Sequence, residues 1–216
     1  MIFPRGIASQ RSTRGPVLAV VFAVSLGACQ RTPEPAPPAN VVEDHPAAKA
    51  VHVSAPSAPE ARCVRETPAT PPPGVSAATR EQCPKDPVSA PALPLVPVTI
   101  TTATGVVKVQ AELAKAPAET ERGLMYRMKM PDEQGMLFAL GERREHPFWM
   151  HNTCIPLDMF WIDDDGLIVG VLENVPTLND EERTIGCPSS WVLEVNAGWA
   201  RRHGVRAGQK LTLPPH

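Results

Sequence analysis

The sequence predicts one mainly β domain confined to residues 98–216, built as a closed or sandwiched antiparallel sheet with two short helices. Three observations carry this expectation. All four Trp, the only Tyr and three of the five Phe lie after position 97, so only these 119 residues can build an aromatic core. Within them, short runs with period-2 alternation are separated by turn signals, the pattern of half-buried strands. Residues 30–97, by contrast, hold 16 Pro and 13 Ala in 68 positions and no aromatic residue. That composition buries too little surface to offset chain entropy.

The strands expected are 98–102, 106–113, 135–140, 146–150, 157–162, 167–173, 191–196 and 210–213. Ala103-Thr104-Gly105 and Asp163-Asp164-Asp165-Gly166 supply the clearest hairpin turns. The helices expected are 118–127 and 197–203, the second stopped by Gly204, which tolerates the left-handed conformation that ends many helices.

Ahead of the domain, Arg5, Arg11 and Arg14 precede an uncharged stretch over 15–28, too short to span a bilayer and laid out as an export signal. It ends in Leu26-Gly27-Ala28-Cys29, which resembles the lipobox of bacterial lipoproteins. The expectation is a signal peptide over 1–29 and a mature chain that starts at a lipidated Cys29 and uses that lipid as its membrane anchor. Gln30 rather than Asp follows the cysteine, as in lipoproteins passed to the outer membrane, so a Gram-negative host would carry the chain there, facing the periplasm. Residues 30–97 then read as a disordered, partly polyproline II tether.

Charge excludes one class of partner. The chain carries 21 basic and 23 acidic side chains, net -2, and residues 98–216 carry 12 and 16, net -4. An electrostatic nucleic-acid binder needs the opposite sign. No Gly-rich phosphate loop, nucleophile elbow or Cys-x-x-Cys redox motif is present, and no cofactor is expected. The run Asp163-Asp164-Asp165-Gly166 lacks the distal oxygen ligands of a calcium loop. The six Met after position 97 read as core packing rather than copper ligands, so no metal is expected either.

Export places the cysteines where thiols oxidise. With Cys29 committed to lipid, four remain, and three pairings are open in principle. Loop-closure entropy favours the local ones, Cys154 with Cys187 and Cys63 with Cys83.

The stretches Glu121-Arg122-Gly123-Leu124-Met125 with Gly135-Met136-Leu137-Phe138, then 148–159, then 192–198 resemble the domain-of-unknown-function family numbered 192. The middle stretch, from Phe148-Trp149-Met150 through Asn152-Thr153 to Ile155-Pro156-Leu157-Asp158-Met159, is the most specific. The resemblance implies a compact barrel-like or jelly-roll β domain, frequently exported, without an established activity. His151 and Cys154 depart from it, standing where the family usually has Lys and an aliphatic residue.

Within the middle stretch, alternation turns Phe148 and Met150 to one side and Trp149 and His151 to the other. One side is core and the other can line a pocket. Asp158 and Glu194 supply carboxyls on flanking strands, Asn152 an amide, and Arg122 a cation that either binds an anionic ligand or pairs with Asp158 or Glu194. The expected function is binding of a small molecule or an envelope polymer in a groove lined by Arg122, Trp149, His151, Asn152, Asp158 and Glu194. An alternative is an envelope glycan hydrolase or lyase with Asp158 and Glu194 as paired carboxyls and His151 as acid or base. A third reading is a structural or protein-interaction module in which these polar groups only tie strands and loops together.

Overall fold

A computed structural model describes residues 62–214, so the signal segment, Cys29 and the first half of the expected tether lie outside the described residues. The elements run β1 (Leu95–Thr102), β2 (Gly105–Ala114), α1 (Pro117–Arg122), β3 (Gln134–Arg144), β4 (Phe148–Met150), β5 (Leu157–Ile162), β6 (Ile168–Val175), β7 (Asn179–Arg183), β8 (Ser189–Asn196), α2 (Trp199–His203) and β9 (Lys210–Thr212). Seven strands form one sheet in the order β6-β5-β8-β3-β2-β1-β9, and β4 pairs with β7 apart from it. The sheet curls until β9 reaches the start of β6 through a Leu167 to Lys210 bridge, with Leu211 N–H donating to Gly166 O at 2.9 Å. Gly166 is required at this seam: its φ is 80°, and a Cβ there would lie 2.2 Å from the Leu211 carbonyl oxygen.

The fold is therefore the small, mainly β, barrel-like domain with two short helices that the sequence predicts. One strand pair departs from the antiparallel expectation: β2 and β3 run parallel, from Gln110 opposite Gln134 to Ala114 opposite Phe138. The connection over 115–133 explains it, because it is long enough to cross back over the sheet and carries α1 on the way. That helix is shorter than expected. Pro117 and Glu119 fix its start, the Glu119 carboxylate accepting from the N–H groups of Lys115 and Ala116 at 2.8 Å each, and Gly123 ends it at φ 50°.

Alternation along β5 and β8 separates two cores. Phe160 and Ile162 of β5 join Trp191, Leu193 and Val195 of β8 inside the curl, with Val98, Ile100 and Trp199. Leu157, Met159 and Trp161 point the other way with Val192, into a second core covered by Leu124, Phe148, Met150 and Ile185. Both strands are covered on both faces, so their side chains are buried almost without exception.

The strand β7 is absent from the expected strands, and its sequence, Asn-Asp-Glu-Glu-Arg, has no apolar alternation. Its pairing with β4, Phe148 opposite Arg183 and Met150 opposite Asn179, forms it instead.

The largest correction concerns residues 62–94, expected as part of a free tether. They are bound to the domain. Cys63 bridges to Cys187 and Cys83 to Cys154, with Cα separations of 5.5 and 5.6 Å. The local pairings Cys154–Cys187 and Cys63–Cys83 are thus wrong. Closure cost grows only with the logarithm of loop length, so the local pairings were favoured by about 1 kcal/mol per bridge, less than the contacts that seat this segment. Arg201 forks onto Glu173 at 2.7 and 2.8 Å and also donates to the carbonyls of Pro68 and Ala69. Arg65 N–H donates to Val169 O, Ala78 N–H to Cys154 O, and the Asn174 amide to Pro72 O. Val64 and Leu93 pack on the second core, and β1 starts at Leu95, three residues earlier than expected.

Candidate functional site

The middle motif shapes a groove between α1 and β4 on the second-core side of the sheet. As the alternation predicts, Met150 is buried and Phe148 half-buried, while Trp149 is 45% exposed. The His151 ring stacks on Trp149 with centroids 4.9 Å apart, and its Nδ1 lies 2.8 Å from the Asp180 carboxylate on β7. Asn152 turns the chain at φ 52° beside Tyr126 at φ 65°; its amide donates to the Tyr126 hydroxyl at 2.9 Å, and its carbonyl accepts from Tyr126 N–H at 2.8 Å. This mutual lock fixes the loop after α1 against the strand.

Three neighbouring spaces share Glu121 and Trp149 in their walls. A narrow neck of about 30 Å³ has Thr120 and Glu121 on one side, Trp149 and His151 on the other, and Glu194 among its lining groups. One space of about 340 Å³ runs past Met125, Tyr126 and Asn152. Another of about 360 Å³ runs past Leu140, Arg144 and Pro147.

Of the six residues expected to line a groove, Arg122, Trp149, His151, Asn152 and Glu194 do so. Asp158 does not. Its cross-strand partner is Val195, whereas Glu194 faces Met159, so the two carboxyls point to opposite faces of the sheet. Asp158 is fully buried and accepts from the N–H groups of Asn174, Gly198 and Ala200 at 2.9, 3.1 and 2.8 Å. It thereby caps the first turn of α2, whose own N-cap residue, Gly198, has no side chain to do so. Burial raises its pKa, and the three backbone donors partly oppose that.

Arg122 pairs with neither Asp158 nor Glu194. It bonds Asp86 of the disulfide-held segment and lies 5.3 Å over the Tyr126 ring. That pairing also lowers the pKa of Asp86. The partner was hidden in the sequence because Asp86 falls in the stretch read as a tether. Glu121, Met125 and Tyr126 also line the groove and were not proposed as binding residues; Glu121 and Met125 do fall within the family motif.

Glu194 is 4% exposed on β8, and burial alone pushes its pKa up to about 8. The acidic run over 163–165 is occupied by bases: Asp163 by Arg143, and Asp165 by Arg62 and Lys210.

Comparison with known proteins places this fold. No curated protein matches the chain. A crystal structure from Sinorhizobium meliloti 1021, described as a candidate transcription regulator, is 38% identical with a TM-score of 0.56, over 57% of this chain and 97% of that one. A protein of unknown function from Novosphingobium aromaticivorans DSM 12444 is 32% identical with a TM-score of 0.55, over 64% of this chain and 100% of that one. The model of DUF192, described as an uncharacterized ACR family, matches residues 98–213, more than half of the chain, and the chain belongs to that family.

Proposed function

We propose that the groove between α1 and β4 binds a small molecule or an envelope polymer, on a protein held at the membrane by lipid on Cys29. The observation that carries the binding reading is Trp149, a large aromatic left 45% exposed at a groove mouth while the other three Trp are at most 1% exposed. Keeping that much apolar surface in water is unfavourable unless a partner covers it. A paired-carboxyl hydrolase or lyase is not adopted, because Asp158 and Glu194 face opposite sides of the sheet. Nor is the regulator description of the Sinorhizobium protein, since residues 98–216 carry net charge -4.

Two measurements test this reading. Acrylamide quenching of the full chain reports Trp149, and soluble peptidoglycan fragments or chitotriose are expected to shield it. Trp149→Ala, which removes that reporter, should weaken their binding by about tenfold or more when read by titration calorimetry. A quenching profile unmoved by every such probe sinks the binding reading. For the anchor, Cys29→Ser is expected to move the protein from the membrane to the soluble fraction and to remove the lipid from its intact mass. Unchanged fractionation and mass would overturn it.

A further inference from the structure

Four carboxylates are buried among the described residues: Asp158, Asp163, Glu173 and Glu194. Three are fully engaged. Asp158 takes three backbone N–H groups, Asp163 takes Arg143, and Glu173 takes the Arg201 fork. Glu194 has no hydrogen-bond or ion-pair partner among the described residues, although only 4% of it is exposed. A carboxyl this deeply buried without a protein partner is costly to ionise, and this one lines the groove's neck.

The chemistry around the neck is one-sided. Arg122 is engaged by Asp86, and His151 by Asp180. Glu121, on the exposed side of α1, has no such counter-charge, and β3 and β5 bring only Met136, Phe138 and Met159 towards Glu194. The neck is therefore acidic at floor and rim. Its volume of about 30 Å³ admits one or two water-sized groups. Beside it, Trp149, Met125 and Tyr126 line a further space and supply an apolar and aromatic wall for a stem.

From this juxtaposition we propose that the neck takes a primary alkylammonium group, with the Glu194 carboxylate as its buried partner and Trp149 as the wall along its stem. This rests on the binding reading of the groove and names its ligand class. The group is supplied by an amine-bearing small molecule or by the free amino groups of an envelope polymer. A neutral hydroxyl displaces no proton from the Glu194 carboxyl, so its binding gains nothing as pH rises, and an anion meets the Glu121 carboxylate and opposes ionisation of Glu194. Binding of the cation ionises Glu194, so one proton leaves the Glu194 carboxyl for solvent with each ammonium bound, and the ligand nitrogen keeps its three protons. Affinity should then rise with pH up to about 8 and level off above it.

The test uses the full chain with n-butylamine as probe and n-butanol as its uncharged counterpart, read by acrylamide quenching of Trp149 between pH 6 and 9. Butylammonium is expected to shield Trp149 with a dissociation constant falling about tenfold per pH unit up to pH 8; butanol is not. Glu194→Gln should weaken butylammonium at least about tenfold at pH 8 and abolish the slope, whereas His151→Gln should keep the slope. Equal shielding by butanol, a slope that survives Glu194→Gln, or no shielding by butylamine at any pH overturns the proposal. If chitotriose shields Trp149 and butylamine does not, the ligand class is wrong and the binding reading survives. If no probe shields it, both fall.

Discussion

Replacing Cys63 and Cys83 by serine, with Cys154 and Cys187 kept reduced, is expected to bring the domain close to unfolding at 37 °C. The bridges span sequence separations of 124 and 71 residues. For loops of that size the chain-entropy model gives about 4 to 5 kcal/mol each, an upper figure that does not simply double for nested bridges. Against the roughly 5 to 15 kcal/mol that hold a domain together, even half of this is decisive. The effect extends beyond entropy. Releasing residues 62–94 uncovers the second core at Val64 and Leu93, and leaves Arg122 and Arg201 without Asp86 and the carbonyls of Pro68 and Ala69. Denaturant midpoints of oxidised wild type and the double variant decide it. Midpoints that coincide would mean that the segment is an ornament on an independently stable sheet.

Glu194 sets the second large effect. Its carboxyl titrates near 4.5 in an unfolded chain and near 8 in the folded one, because burial penalises the charged form. Between those values the folded state holds a proton that the unfolded state has lost, so stability falls as pH rises through this window. The gap corresponds to roughly 4 kcal/mol between pH 4 and pH 9. Glu194→Gln, nearly isosteric and uncharged throughout, is expected to flatten that decline and to be the more stable protein at pH 9. Asp158, also raised by burial, acts in the same direction in both proteins and cancels in the comparison. Urea midpoints of the two proteins across this range provide the measurement, and parallel profiles would show that Glu194 ionises freely.

The sequence carried the fold well where one strand suffices to read it. The alternation in β5 and β8 and the turn at 163–166 are local, and the structure reproduces them. Features that need two distant segments were beyond it. The faces of Asp158 and Glu194 follow from alternation within each strand, but whether they share a side depends on register: Asp158 meets Val195, and Glu194 is one residue away. The parallel pairing of β2 with β3 and the formation of β7 have the same origin, since neither is written in the strand's own pattern. Trp149, His151 and Asn152 were readable because one short motif holds them together. Composition misled at 62–94: a Pro- and Ala-rich stretch cannot build a core of its own, yet two cysteines and a few carbonyls suffice to fasten it to one.

The two bridges are nested, Cys83–Cys154 lying inside Cys63–Cys187. A single backbone cut at any point between Cys63 and Cys187 consequently severs the chain without separating it, because each piece still holds a cysteine bonded to the other. The polypeptide thus behaves as a closed loop of wire: it can be nicked once over most of its described length and remain one molecule.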